Sequence, residues 1–260
     1  MEGVAGPVAG TVAIVTGGTR GLGVVIARAL LDAGCDVFVF GRTPPGAPIS
    51  GGGRQARFIT CDVRDPAGVA DAVAQVGQAA GRIDLLVNNA GGSPPAEAAT
   101  ASPRFAQAIV GLNLLGPMYL SQAVFEWMSP KGGAIVNIAS VAGVRPAPGA
   151  AIYGAAKAGL LNLTRSLAQE WGPSIRVNAI VVGLVESETA EATYGGAESR
   201  AEIAASLPLA RMATGRDVAD GVLFLASPQA AYVSGAHLNI DGGGERPIFQ
   251  NIVDKHRAAD

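Results

Sequence analysis

Thr16-Gly17-Gly18-Thr19-Arg20-Gly21-Leu22-Gly23 follows the apolar run Thr11–Val15 and precedes a helix-period pattern at 24–33. No other stretch limits the possible folds as strongly. A strand ending in such a turn must bring its backbone close to an anion, and the next helix must begin with its N–H groups aimed at that anion. Only glycine does this without a Cβ clash. A glycine string alone is weak, but a strand before it and a helix after it make it the pattern of a pyrophosphate pocket.

Seven short apolar runs, at 11–16, 36–41, 56–61, 84–89, 134–138, 175–181 and 236–240, alternate with helical patterns at 21–33, 65–80, 104–128, 151–171 and 216–227. Such β-α alternation predicts a parallel sheet whose right-handed crossovers lay helices on both faces. The expected class is therefore α/β, a Rossmann-type doubly wound seven-stranded sheet. Hydrophobic residues make up 49% and aromatics only 5%, so the core must be built from Ala, Val, Leu and Ile, as suits buried parallel strands. Neither a linker nor a fixed-period repeat divides the 260 residues, so 1–260 reads as one domain. Thr214 with Asp217 resembles a capping box opening the last helical pattern. Residues 43–53 (TPPGAPISGGG) are expected to form a mobile loop near the outer end of the pocket. Residues 184–210, with the polar, Ala-rich centre Glu186 to Pro208, are expected to form a lid.

A net charge of −2 supplies no basic stripe for nucleic acid. No uninterrupted apolar run reaches about 18 residues, and no basic, hydrophobic leader opens the chain, so a cytoplasmic protein without membrane partners is expected. Cys35 and Cys61 sit beside predicted strands as small buried side chains, and no disulfide or zinc pattern is present. With only His237 and His256, a His-based triad or metal site has almost no material. Acid/base chemistry must come from other groups.

Tyr153 and Lys157 lie four apart in the pattern Ala151–Trp171 and share one helix face. Alone, such a pair is usually a surface contact. A cation near a phenol nonetheless lowers its pKa from about 10 and makes it a usable acid/base. Ser140 follows the run 134–138, at the edge where open α/β sheets bind ligands; otherwise it is a loop or capping serine. Asn88-Asn89-Ala90-Gly91 ends the preceding run with small residues and amides, and Asn113 is an unfavourable choice inside a helix.

Gly17-x-x-x-Gly21-x-Gly23, Asn88-Asn89-Ala90-Gly91, Asn113, Ser140, Tyr153-x-x-x-Lys157 and Asp241-Gly242-Gly243 together resemble the single-domain form of the short-chain dehydrogenase/reductase family over residues 8–244. The pattern looks most like its 3-oxoacyl-thioester (acyl carrier protein) reductases. The resemblance implies hydride transfer between a nicotinamide cofactor and a ketone or secondary alcohol. Tyr153 would exchange the proton, Ser140 would bond the reacting oxygen, and Lys157 would lower the Tyr153 pKa and bond the ribose. Asn113 would hold a relay water. Gly17, Thr19, Arg20, Gly21, Leu22, Gly23, Asn89, Ala90, Gly91, Gly183, Val185 and Ser187 would line the cofactor, with Asp62 and Val63 at its adenine.

An acidic residue at the end of the second strand would repel a 2′-phosphate. Here that place reads Gly41-Arg42-Thr43, and Arg42, Thr43 and Arg20 favour NADP(H) over NAD(H). Val182-Gly183 departs from the family's usual Pro-Gly and loses the fixed φ of proline, while Ser187 keeps the hydroxyl of the usual threonine. Small residues Gly154, Ala155, Ala158 and Gly159 on the Tyr153 helix suit close approach by another element. Because the family pairs this helix across subunits, a homotetramer is expected, with a dimer as runner-up. The tail 245–260 carries Ile248, Phe249, Ile252 and Val253 at amphipathic spacing and either docks on a neighbouring subunit or stays disordered. Rival readings are a non-catalytic NADP(H)-sensing protein, an NAD-dependent alcohol or steroid dehydrogenase of the same family, and an epimerase or dehydratase of its extended relatives.

Overall fold

The computed structural model describes residues 8–188 and 190–257. The ends of the expected 1–260 domain, position 189 of the lid and the last three residues of the tail lie outside them. The strands are β1 (Val12–Thr16), β2 (Asp36–Gly41), β3 (Arg57–Thr60), β4 (Leu85–Asn88), β5 (Gly133–Ser140), β6 (Ile175–Val182) and β7 (His237–Ile240). They form one parallel sheet in the order β3-β2-β1-β4-β5-β6-β7. The order reverses between β1 and β4, which opens a crevice at their C-terminal ends.

Side chains alternate along β1, so Ala13 and Val15 face one core while Val12 and Ile14 face the other. Burial on both sides is why this strand reads as an unbroken apolar run. The helices are α1 (Gly21–Asp32), α2 (Pro66–Ala80), α3 (Pro103–Val110), α4 (Gly116–Met128), α5 (Ala151–Trp171), α6 (Ala190–Tyr194), α7 (Ala197–Ser206), α8 (Gly215–Ala226) and α9 (Ile248–Arg257). Ile26 and Leu30 of α1 and Val218 and Val222 of α8 pack on one face. Val69 and Val73 of α2, Leu120 and Val124 of α4, and Leu167 of α5 pack on the other. The cysteines are buried as expected, and burial pushes the Cys61 thiol up to about 11.

Three expectations change. The 104–128 pattern is not one α-helix, because Gly111–Leu115 between α3 and α4 form a π turn. By length and composition Pro103–Met128 could cross a membrane, yet Ile109, Leu120, Val124 and Met128 are buried within the protein. Residues 43–53 are not simply a mobile loop: Ser50–Gly51 pairs with Arg54–Gln55 in a hairpin, and Ile49 is buried. Gly52 and Gly53 both take positive φ, 55° and 74°, as a two-residue hairpin turn requires. The hairpin lies against Arg28 and Asp32 at the far end of α1, while Arg54 pairs with Asp36 at the start of β2, so it sits away from the crevice. The tail is helical in α9, and Ile248, Phe249, Ile252 and Val253 stand 40–77% exposed on the single chain.

The capping box forms as read. Thr214 Oγ1 accepts from the Asp217 N–H at 3.3 Å, and Asp217 Oδ2 accepts from the Thr214 N–H at 2.6 Å. Thr214→Ala is expected to lower the unfolding free energy by about 1 kcal/mol, seen as a lower urea midpoint at unchanged slope. An unchanged midpoint would show that the cap contributes nothing.

Candidate active site

The glycine turn is folded tightly beneath the loop that leaves β4. A Cβ on Gly23 would lie 2.2 Å from the Gly17 carbonyl oxygen and 2.7 Å from Asn89 Nδ2. The buried Thr16 hydroxyl accepts from the Asn89 and Ala90 N–H groups, both at 3.0 Å, and Asn89 Nδ2 returns a bond to the Thr16 carbonyl at 2.9 Å. Gly21 differs, with no atom within 4 Å of the place its Cβ would occupy. Arg20, at the N-cap of α1, makes no side-chain cap bond, so its side chain leaves the first N–H groups of the helix uncapped. That is the arrangement an anionic group needs. Thr19 touches Gly41, which brings the turn beside the exposed Arg42 and Thr43 at the end of β2.

Asp62 is not the free acceptor the sequence suggests. Both its oxygens are taken by Arg64, at 2.9 Å from Nε and 2.6 Å from Nη2, and that contact holds its carboxyl below the usual range. The charge two residues downstream was visible in the sequence, but its folding back was not. Val63 is buried against Gly116 at the start of α4. Leu22 packs at the edge of the core.

Ser140 ends β5, and its Oγ accepts from the Ala142 N–H at 3.2 Å. On α5, Tyr153 lies beside Ser140, and Lys157 lies one turn further in. Lys157 is 3% exposed, donates to the Ile138 carbonyl at 2.7 Å, and sits 5.6 Å from the centre of the Tyr153 ring. Burial lowers its pKa to about 8. The expected depression of the Tyr153 pKa is absent from this arrangement. Burial raises it, the Ser140 hydroxyl opposes the rise, and Lys157 is spent on Ile138.

The π turn explains Asn113. Its buried amide donates to the Ile109 and Gly92 carbonyls, both at 3.0 Å, and its Oδ1 accepts from the Gly92 N–H at 2.9 Å. A Cβ on Gly91 would lie 2.8 Å from Asn113 Oδ1 and 3.2 Å from Lys157 Nζ, so only glycine lets these groups share one corner. Asn88 does not face that corner. It turns inward to Asn137, whose Nδ2 donates to Thr164 Oγ1 at 2.9 Å. This ladder escaped the sequence reading, although an asparagine inside the run Ala134–Ile138 was its signal.

Gly183 follows β6 and lies against Asp241, with its N–H bonded to the Ile240 carbonyl at 2.9 Å. Val185 bridges to Ala213, and Tyr194 closes the short helix α6. Ser187 lies at the start of the lid. One cleft borders Tyr153 and is lined by Ser93, Ala96, Phe105 and Gly149. A second opens beside Ser140, between Val141, Leu184, Leu207 and Glu245. Of the small α5 residues, Gly154 meets the Ala142 carbonyl and Gly159 meets Leu114 within the chain, while Ala155 and Ala158 are exposed.

The chain matches the family described as Enoyl-(Acyl carrier protein) reductase over residues 17–245. It is 34% identical over 250 residues to the peroxisomal 2,4-dienoyl-CoA reductase of Rattus norvegicus, covering 93% of this chain and 86% of that one. It is 34% identical over 238 residues to the 3-oxoacyl-[acyl-carrier-protein] reductase FabG of Escherichia coli, covering 90% and 97%. Among solved structures, an actinorhodin polyketide ketoreductase variant with NADPH superposes with a TM-score of 0.81 at 32% identity, over 90% and 97% of the two chains. The fold and site define an oxidoreductase built on a dinucleotide-binding sheet. The chain belongs to the short-chain dehydrogenase/reductase family, whose members use nicotinamide cofactors on small-molecule substrates and are commonly oligomeric.

The three lysines of the chain make Lys157 easy to assign by carbon-detected NMR against Lys157→Met. One lysine is expected to titrate near pH 8 in the cofactor-free protein; three ordinary titrations near 10.5 would refute the burial argument. Because the folded value lies below the unfolded one, the folded state binds fewer protons between about 8 and 10.5. Wild-type stability should therefore rise with pH across that window, while Lys157→Met, more stable by about 1–3 kcal/mol at pH 7, should not show the rise.

Proposed function

We propose that this protein is an NADP(H)-dependent oxidoreductase that transfers hydride between the nicotinamide and a ketone or secondary alcohol. The observation that carries the reading is the meeting of Ser140, Tyr153 and Lys157 at the same sheet edge as the uncapped N-terminus of α1. Gly17, Gly21, Gly23, Asn89, Ala90 and Gly91 shape a floor for the dinucleotide, and Gly183, Val185 and Ser187 a wall for its nicotinamide. The cofactor, when bound, supplies or accepts the hydride.

Everything else falls to the chain. In reduction Tyr153 donates its proton to the carbonyl oxygen, and Ser140, beside that phenol, donates to the same oxygen as charge develops. The phenol is protonated at neutral pH and so enters the reduction as the acid, while burial opposes release of its proton until Lys157 reaches it. Lys157 moves from the Ile138 carbonyl to stabilise the phenolate left behind and to bond the ribose. Asn113 fixes the Gly91-Gly92 corner behind it and holds the relay water.

NADP(H) is preferred over NAD(H) because Arg42, Thr43 and Arg20 offer donors to a 2′-phosphate where no carboxylate repels it; the NADPH on the ketoreductase structure agrees. Asp62 reaches adenine only by sharing Arg64. The substrate is a partly apolar ketone, with a 3-oxoacyl thioester favoured by the likeness to FabG and by Leu184, Leu207 and Val141 in the second cleft. We assign the enzyme to the cytoplasm as a homotetramer.

Wild type is expected to oxidise NADPH with a 3-oxoacyl thioester or another ketone, and Tyr153→Phe to lose about 10²–10⁴-fold in kcat while still binding NADPH. Tight binding without turnover in either direction across a broad carbonyl panel would favour a cofactor sensor instead. Arg42→Asp should weaken NADPH binding about 100-fold and leave NADH within about fivefold, measured by nucleotide fluorescence. Equal losses for both cofactors would remove Arg42 from the 2′-phosphate.

A further inference from the structure

At the adenosine end of the crevice, one carboxylate is gripped by a single neighbour. Asp62 leaves β3 beside the end of β2, where the Cys61 N–H bonds the Gly41 carbonyl at 2.9 Å. Arg64 gives it three donors: the backbone N–H at 3.1 Å and Nε at 2.9 Å reach Oδ1, and Nη2 at 2.6 Å reaches Oδ2. The segment that carries both residues is fixed. Val63 between them is buried against Gly116, and the Asp65 N–H closes a turn on the Asp62 carbonyl at 3.0 Å. The Arg64 stem runs past Gly111 at the start of the π turn, where a Cβ would lie 3.9 Å from its Cγ. Three other titratable groups stand near Asp62. Arg42 follows Gly41, which pairs with Thr60; the Cys61 thiol is buried; and Asp65 is spent on the Ala67 N–H at the start of α2, at 3.2 Å.

We propose that Arg64 is a positioning residue for the cofactor: it fills three lone-pair sites of the Asp62 carboxylate and leaves the last, on Oδ2, for the 6-amino group of a purine. The inference rests on the NADP(H) reading. An ionised carboxylate only accepts hydrogen bonds, so it favours adenine, with a donor at position 6, over a base with a 6-oxo group. The guanidinium fork fixes the plane of the carboxylate as well as answering its charge, whereas a lysine would supply the charge alone. Arg64 and Asp62 are 40% and 34% exposed, so their pairing contributes little to global stability. Its effect falls instead on the direction in which the remaining lone pair points. A positioning residue of this kind acts only while Asp62 is present, which separates it from an arginine that swings away to meet a phosphate.

The experiment measures, by nicotinamide fluorescence, the Kd of NADPH and of its hypoxanthine analogue for wild type, Arg64→Ala, Arg64→Lys, Asp62→Ala and the double variant. Wild type should prefer NADPH by about 20-fold, as one hydrogen bond to a charged acceptor allows. The preference should fall to about threefold in Arg64→Ala, recover only in part in Arg64→Lys, and vanish in Asp62→Ala, where adding Arg64→Ala should change nothing more. In the cofactor-free protein, carboxyl-carbon NMR should find Asp62 titrating below the usual carboxylate range and moving up in Arg64→Ala. An Asp62 titration indifferent to Arg64 overturns the grip. Equal losses for both nucleotides in Arg64→Ala, repeated in the Asp62→Ala background, also overturn the proposal and put Arg64 on a phosphate. A wild type that binds both nucleotides equally well removes the adenine role alone, whereas one that binds neither sinks the NADP(H) reading and this inference with it.

Discussion

A file of buried polar groups crosses an otherwise apolar interior, and the alignment of the site depends on it. Asn88 Nδ2 donates to Asn137 Oδ1 at 2.8 Å, Asn137 Nδ2 to Thr164 Oγ1 at 2.9 Å, and Thr164 Oγ1 to the Leu160 carbonyl at 2.8 Å, all in residues at most 2% exposed. Apolar packing would tolerate a small slide of α5 over the sheet. These bonds do not, because leaving one buried group unpaired costs about 1–3 kcal/mol. The ladder ties β4, β5 and α5, which carry Asn89 to Gly91, Ser140, and Tyr153 with Lys157. Lys157 adds its own bond to Ile138 at the upper end, so the turn of α5 that carries Tyr153 is tied to the strand that ends at Ser140.

How much of this was legible in the chain follows from which forces leave a periodic trace. Burial on both faces makes a parallel strand a plain apolar run, so all seven strands stood within a residue or two of their places, the largest difference being the end of the fifth run, where β5 continues to Ser140. The box at Thr214 and Asp217 was equally plain, since its partners lie three residues apart. The hairpin at 50–55 was missed because Gly52 and Gly53 were read as part of a mobile loop rather than as the two positive-φ residues of a tight turn. The π turn at Gly111–Leu115 left no periodic mark at all, since one widened turn shifts the apolar pattern no more than ordinary variation does.

The site was legible where its members are held by the backbone and illegible where they are held by each other. The glycines around Gly23, the Ser140 strand end and the Tyr153–Lys157 spacing are consequences of chain geometry. The states of these groups are not. Spacing alone placed an ammonium beside a phenol and implied a lowered Tyr153 pKa, yet the burial that brings Lys157 inside also desolvates Tyr153, and the Ile138 carbonyl claims the ammonium. Arg64 on Asp62 is the same lesson at the adenine end, because a side chain two residues away on an exposed turn can fold back or extend with equal ease until the surroundings choose.

The two halves of the cleft answer to different physics. The half built on β1, β4, β5 and α5 works through fixed distances and buried polar bonds, where a displacement of a few tenths of an ångström matters. The other half, from Leu184 to Leu207 and on to Glu245, is lined mainly by apolar side chains, and one methylene more or less in such a wall is worth only about 1–3 kcal/mol. A wall of that kind can be rewritten residue by residue without disturbing the ladder beneath it.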